Sequence, residues 1–193
     1  MLPALAVSLL YVWLVRKLPH PGRAAIATGI IWFLFFFVYL YAVYNGQLVA
    51  LLNRLGINTM GREYIWQLTR PYYTLSPTYL GLGFEAVDGL VTRFYQLGLI
   101  DQAYPLHNDI LKVFVELGFP GLCFWGGLLY IGLPVFWYKR YGNEAALLYM
   151  ALMNPITITY LTDNTAFYFW CTICLRLLPM AHVCCAPKEA RKP

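Results

Sequence analysis

Charged residues are scarce in this chain. Asp, Glu, Lys and Arg make up 12% of its 193 residues, whereas soluble domains usually carry about 25%. Hydrophobic residues make up 60%, and they come in long blocks. This composition excludes an ordinary soluble domain and indicates an integral membrane protein. The formal net charge is +5, but no dense basic block is present, so nucleic acid is not expected as a partner.

Cysteine is also sparse, and none of the cysteines falls in the amphipathic part of the chain between residues 45 and 118. The five are Cys123, Cys171, Cys174, Cys184 and Cys185. A disulfide framework is therefore not predicted for that part. Cys171 and Cys174 have C-x-x-C spacing inside an apolar run, where a chance spacing is favoured over a metal or redox site.

Common catalytic motifs are absent as well. The sequence has no H-E-x-x-H, no G-x-S-x-G and no P-loop pattern. Its acidic residues do not form a metal-ligand cluster. These absences exclude the usual zinc-protease, serine-hydrolase and P-loop nucleotide sites, and neither a metal nor a cofactor is predicted.

The apolar blocks themselves predict an all-α fold, a polytopic transmembrane helical bundle. The predicted spans are five, at residues 2–15, 24–44, 119–138, 145–161 and 166–185. The first covers only about 21 Å, short of a hydrocarbon core of about 30 Å. Because its positive charges follow the run instead of preceding it, a clipped or tilted span is favoured over a signal peptide.

Lys and Arg predict which side of the membrane each loop faces. If residues 45–118 face outward, nine of the 14 basic residues fall in short inner segments: Arg16, Lys17, Arg23, Lys139, Arg140, Arg176, Lys188, Arg191 and Lys192. The others, Arg54, Arg62, Arg70, Arg93 and Lys112, are spread over a much longer stretch. The positive-inside rule therefore predicts a long outward loop and a cytoplasmic C-terminus.

Short helices along the membrane surface are predicted within the outward loop. The first has apolar residues at helical spacing, namely Leu48, Leu51, Leu52 and Leu55. Gly56 is expected to end it. A second helix is expected to start near Thr59 and must end before Pro71. Residues 76–90, "SPTYLGLGFEAVDGL", are predicted to be a glycine-punctuated turn region.

The segment "PLHNDILKVFVELGFPG", residues 105–121, places a histidine at the start of a predicted helix. Pro105 keeps a helix from running in from upstream, Asn108 is a good N-cap, and Asp109 favours a first turn. Gly118 with Pro120 is expected to break or kink the helix. His107 then lies at a helix N-terminus, where unpaired N–H groups favour anions. An interfacial residue without function is the alternative for a lone histidine.

Three groups of residues resemble the O-antigen ligase and polymerase family of bacterial membrane glycosyltransferases. The groups are Gly61-Arg62 with Trp66, then Gly81-x-Gly83-Phe84, then His107-Asn108 with Glu116-Leu117-Gly118 and Gly121. The resemblance rests on their order between membrane spans, because each group is weak by itself. These motifs cover residues 61–121.

The resemblance implies a C-type glycosyltransferase fold, metal-independent transfer and an undecaprenyl-diphosphate-linked oligosaccharide donor. The acceptor would be a glycan, a lipid or a protein. It implies that His107, with Asn108 beside it, deprotonates the acceptor hydroxyl, and that Arg62 binds the donor's diphosphate. Arg70 and Arg93 are added as further diphosphate ligands only because they lie in the same loop. Imidazole is a suitable base near neutral pH, and guanidinium forks fit phosphate.

Family members have more spans than are predicted here. Residues 1–193 are therefore expected to form a single membrane domain that corresponds to the C-terminal part of a larger family fold, with residues 45–118 as the motif-bearing loop. The expected location is the bacterial cytoplasmic membrane, with the active face outward. A non-catalytic membrane protein or truncated remnant, which binds lipid-linked sugar or partners another enzyme, is the alternative.

Overall fold

The computed structural model describes residues 2–57, 61–161 and 181. The helices of these residues are α1 (Leu2–Val15), α2 (Pro21–Tyr44), α3 (Gln47–Arg54), α4 (Arg62–Thr69), α5 (Ala86–Gln96), α6 (Asp109–Gly127), α7 (Leu133–Tyr141) and α8 (Asn143–Tyr160). A 3₁₀ turn (Arg70–Tyr72) follows α4, and a π-helical segment (Leu128–Gly132) joins α6 to α7. No strand occurs among the described residues, and the predicted all-α class is confirmed.

Two of the described helical stretches are long and apolar enough to cross a membrane. They are Pro21–Tyr44 and Asp109–Tyr141, the latter running from α6 through α7. Only 28% and 22% of their most apolar windows are buried, and large side chains such as Ile31 and Val38 are exposed. A core helix of a soluble protein would be covered, so these surfaces indicate a membrane protein.

Of the remaining predicted spans, two are described as helices and one is not described. Residues 2–15 and most of 145–161 are helical, as α1 and α8, and their crossing of a membrane stays a prediction. Apart from residue 181, the span predicted at 166–185 lies outside the described residues. So do Cys171, Cys174, Cys184 and Cys185.

The described residues divide into two compact units, the first of which comprises 2–34 and 126–160. Within this unit α8 receives polar contacts from two helices. The Ser8 hydroxyl of α1 donates to the Ala151 carbonyl, and Nε1 of Trp32 in α2 donates to Oδ1 of Asn154 at 3.0 Å. Because lipid offers no hydrogen bonds, such pairs satisfy polar groups that would otherwise face an apolar environment.

The π-helical segment also belongs to the first unit, and one of its carbonyls accepts a side-chain hydrogen bond. The hydroxyl of Tyr149 donates to the Leu129 carbonyl at 2.9 Å. The Tyr130 carbonyl passes so close to Gly29 of α2 that a Cβ there would lie 1.9 Å from its oxygen. The wider π turn thus occurs where the Tyr149 hydroxyl binds the Leu129 carbonyl and where Gly29, which has no side chain, allows close approach of the Tyr130 backbone.

The second unit comprises residues 35–57, 61–125 and 161 among the described residues. It contains α3, whose predicted end at Gly56 is confirmed by φ +65 there. None of the α3 residues is buried, and Leu51 and Leu55 are exposed.

Two predictions in the second unit need correction. Helix α4 begins at Arg62, since Gly61 has φ +79 and cannot be its first helical residue. Helix α5 covers residues 86–96, so the predicted turn region ends at Glu85. Val87, Val91 and Phe94 form its buried face, a helical spacing that Gly89 obscures in the sequence.

The predicted break in α6 is confirmed, and residues 79–83 fill it. Gly118 has φ 68 and ψ −169, so the Val115 and Glu116 carbonyls lose their helical donors. They accept the N–H groups of Leu82 and Gly83, each at 2.9 Å. Gly81 and Gly118 therefore have a structural role here, because an irregular segment of the chain crosses a broken helix at backbone distance.

Helix α5 is fixed to α6 by charged groups. Lys112 Nζ lies 2.6 Å from Asp88 Oδ2 and 3.9 Å from Glu116 Oε1. Oε1 of Glu116 also accepts the N–H of Val87 at 3.3 Å. Glu116 is buried and Lys112 is largely covered, whereas the Asp88 carboxylate is half-exposed. Solvent therefore screens the Lys112–Glu116 pair less than the Lys112–Asp88 pair. The network holds the start of α5 against α6.

Candidate functional site

The second unit contains a cavity of about 450 Å³. Its lining comes from the start of α4, from the loop after α5 and from the residue before Asn108: Gly61, Arg62, Tyr64, Ile65, Leu99, Ile100, Asp101, Tyr104 and His107. The volume falls in the range of small-ligand sites, about 300–1,000 Å³. Arg62 and His107, both predicted from the sequence as site residues, therefore line the same cavity.

His107 is held by the residues on both sides of it. Leu106 before it is buried, and its carbonyl accepts Nε1–H of Trp66 at 2.9 Å. Asn108 after it is buried at the N-terminus of α6. Between these anchors His107 has φ +51, a conformation that is uncommon for a residue with a side chain. Flanking contacts that impose such a backbone are typical of functional sites.

Asn108 uses both ends of its amide inside the protein. Its Oδ1 accepts the Leu111 N–H at 3.0 Å, which confirms the predicted N-cap. Its Nδ2 donates to the Tyr39 hydroxyl at 2.9 Å, and that hydroxyl donates to the Leu161 carbonyl at 2.6 Å. Because Asn108 is fully buried, these contacts favour a role in positioning His107 over a contact with substrate.

Helix α4 connects the arginine to the histidine. Arg62 and Trp66 are four residues apart, so they lie on neighbouring turns of one helical face. The first turn places Arg62 at the cavity, and the next binds the main chain beside His107 through Trp66. The Gly61 N-cap provides no side-chain hydrogen bond to the helix start. The Arg62–His107 arrangement thus depends on one short helix.

Arg70 and Arg93 do not line this cavity. Arg70 begins the 3₁₀ turn after α4, is exposed, and places its guanidinium 4.9 Å from the centre of the Tyr44 ring. Arg93 lies exposed in the last turn of α5. The structure therefore groups Arg62 with His107 and leaves the other two arginines elsewhere on the second unit.

A comparison with protein-family models decides the family. The O-antigen ligase model matches residues 1–126, which is more than half of the chain and includes the whole cavity lining. The chain belongs to the O-antigen ligase family. No curated protein and no solved structure gives a significant match. The family predicted from the motifs at residues 61–121 is therefore confirmed.

The O-antigen ligase motifs divide between cavity and scaffold. Arg62 and His107 line the cavity, whereas Gly81 and Gly118 belong to the break in α6. Among the described residues, no group of three or more His, Cys, Asp or Glu is placed to hold a metal ion.

Sequence reasoning missed the cavity residues Tyr64, Asp101 and Tyr104. The chain has 16 tyrosines, and sequence alone does not separate those lining a cavity from those facing lipid. The only available signal was proximity, since Tyr64 is two residues after Arg62 and Tyr104 is three residues before His107.

Proposed function

We propose that this protein transfers a glycan from an undecaprenyl-diphosphate-linked donor to an acceptor hydroxyl in polysaccharide biosynthesis. The observation that carries the proposal is that Arg62 and His107 line one cavity in a chain of the O-antigen ligase family. For this transfer, a guanidinium can bind the diphosphate and an imidazole can accept the proton of the hydroxyl.

The proposed reaction is a displacement at the anomeric carbon of the donor sugar. The acceptor oxygen forms the new bond, the bond from the anomeric carbon to the diphosphate oxygen breaks, and His107 takes the hydroxyl proton. The lipid diphosphate leaves with the bonding electron pair. General-base assistance makes the hydroxyl a better nucleophile as the new bond forms.

Arg62 is proposed to bind the leaving diphosphate. Its guanidinium can form two parallel hydrogen bonds to phosphate oxygens, and the charge is most effective where water is excluded. The N–H groups at the start of α4 add positive potential, and Gly61 contributes no capping side chain that would compete for them. Asp101 also lines the cavity, so the diphosphate is expected at the end formed by α4.

The Arg62→Lys variant should lower transfer about tenfold and weaken donor binding, because lysine keeps the charge but loses the planar fork. The measurement is the rate of transfer as a function of donor concentration. Arg93→Lys is the matched control, since Arg93 is exposed and away from the cavity. Full activity of Arg62→Lys would rule out bidentate recognition, and an equal loss in Arg93→Lys would support the sequence prediction that Arg93 binds the donor.

The Trp66→Phe variant should slow transfer several-fold without changing donor affinity. It keeps a buried aromatic ring but removes the hydrogen bond to the Leu106 carbonyl, so His107 loses one of its two anchors. Trp32→Phe removes a similar bond, to Asn154 in the first unit, and is the control. Equal rates for Trp66→Phe and wild type would show that this bond does not position the histidine.

The proposed location is the bacterial cytoplasmic membrane, with residues 45–118 outward. The distribution of Lys and Arg supports this side, and the exposed leucines of α3 suit a helix lying in the membrane interface. A cysteine introduced at the exposed Gln96 should react with an impermeant reagent in intact cells. Labelling only after permeabilisation would contradict this orientation.

The deciding experiment is transfer from a lipid-linked oligosaccharide in cells that lack their own polymerase and ligase. The full chain should restore a polymerised or ligated product that the His107→Ala variant does not make. Donor binding without any product would instead favour the alternative, a membrane protein that holds lipid-linked sugar without transferring it.

A further inference from the structure

Other residues of the cavity lining have a different chemistry from Arg62. Tyr64 and Tyr104 are 47% and 51% exposed, and both line the cavity together with the carboxylate of Asp101. A site for a diphosphate alone has no use for two aromatic rings, and a carboxylate there opposes an anion. The lining therefore contains a cationic group that suits an anion and a second set of groups, Tyr64, Asp101 and Tyr104, that suits a neutral polar ligand.

Sugar rings are the neutral ligands that fit this second set of groups. A tyrosine offers an apolar ring face with a polar tip, which matches the C–H face and the hydroxyl edge of a pyranose. An ionised carboxylate accepts hydrogen bonds and donates none, so it suits hydroxyl donors. A phosphate has neither an apolar face nor, when fully ionised, a donor for Asp101.

The loop that carries Asp101 and Tyr104 has one main-chain hydrogen bond where it leaves α5 and another within the loop. At the end of α5, the Leu99 N–H donates to the Phe94 carbonyl at 2.9 Å around Gly98, which has φ +68. Further along, the Tyr104 N–H donates to the Gln102 carbonyl at 2.9 Å. A loop fixed in this way presents its side chains without a large ordering cost on binding.

We propose that Asp101 and Tyr104 bind the sugar ring that carries the acceptor hydroxyl, together with Tyr64 of α4. This inference rests on the proposed function and names the acceptor subsite of the same cavity. The acceptor is assigned here because Tyr104 lies three residues before His107, the proposed base. Arg62, which also lines the cavity, is proposed above to hold the anionic donor, so both substrates would reach His107 in the same cavity.

The test uses direct binding to the detergent-solubilised full chain, followed by tryptophan fluorescence. One probe is the neutral oligosaccharide released by mild acid from the lipid-linked donor of the transfer assay, and the other is inorganic pyrophosphate. Tyr104→Ala should weaken oligosaccharide binding about tenfold and leave pyrophosphate binding unchanged. Asp101→Asn should weaken oligosaccharide binding but strengthen pyrophosphate binding, because it removes a negative charge from the cavity.

Tyr95→Ala is the matched control. Tyr95 is also 51% exposed but lies on α5 and does not line the cavity. In the transfer assay, the loss in Tyr104→Ala should be overcome by raising the acceptor concentration and not by raising the donor concentration. The inference is overturned if Tyr104→Ala binds the oligosaccharide like wild type, if Tyr95→Ala loses as much, or if Asp101→Asn weakens both probes.

The outcomes separate this inference from the proposed function. Oligosaccharide binding that depends on Tyr104 in a chain with no transfer activity would support the sugar subsite and contradict the transferase proposal. Transfer that depends on His107 but not on Tyr104 or Asp101 would support the transferase proposal and contradict the sugar subsite.

Discussion

Replacing His107 with alanine is expected to lower glycan transfer by about 10²- to 10⁴-fold, the usual contribution of a general base. Donor binding should stay near that of wild type, since Arg62 and the α4 terminus are intact. The measurement is the initial rate of transfer at matched expression, together with the dependence of that rate on donor concentration.

The unusual backbone of His107 allows a sharper comparison. In the His107→Ala variant, alanine must still adopt the unfavourable φ of +51. In the His107→Gly variant, glycine adopts this conformation freely. Both variants lack the imidazole, so both should lose transfer to the same extent if His107 is the base. If His107 serves only as a turn residue, His107→Gly should retain activity. His20→Ala, at an exposed histidine between α1 and α2, should behave like wild type.

The largest expected effect on stability is that of Gly118→Ala, which should lower the free energy of unfolding by at least about 3 kcal/mol. The backbone there, at φ 68 and ψ −169, is accessible essentially only to glycine. A Cβ would also lie 2.3 Å from the Tyr79 carbonyl oxygen and 2.4 Å from the Leu80 carbonyl carbon. Backbone atoms cannot move aside as a flexible side chain can, so the crossing segment must separate from α6.

Gly46→Ala is the control for the glycine effect alone. Gly46 has almost the same φ, +70, but its ψ of 5 is left-handed helical and nothing lies within 4 Å of an added Cβ. The free energy of unfolding of the Gly46→Ala variant should fall by only about 1 kcal/mol. The measurement is the free energy of unfolding of the detergent-solubilised chain. Similar losses in the two variants would show that the close crossing at Gly118 does not contribute to stability.

Local chemistry determined much of this fold from the sequence by itself. Asn108 could be recognised as an N-cap because its side chain reaches a backbone N–H three residues away. Gly118 with Pro120 indicated the break in α6 because neither residue continues a helix well. The long apolar runs indicated a membrane protein because lipid is the only solvent that tolerates so much exposed apolar surface. The motifs were enough to indicate the O-antigen ligase family, and with it Arg62 and His107.

Tertiary structure alone decided which of the predicted site residues lie together. Arg62 was predicted as a diphosphate ligand from its motif, and Arg70 and Arg93 only from their place in the same loop. Of the three, only Arg62 lines the cavity with His107. That grouping follows from the Trp66–Leu106 hydrogen bond and from the path of the loop after α5. These contacts join residues up to 40 positions apart.

The crossing of residues 79–83 over the break in α6 is a second example. Glycines at positions 81 and 118 are visible in the sequence, but their mutual approach is not. Sequence patterns carry information over one or two helical turns. Cavities and backbone crossings depend instead on how loops bring together residues that are far apart in the sequence. For that reason Tyr64, Asp101 and Tyr104 became candidate binding residues only when the fold placed them around the same space.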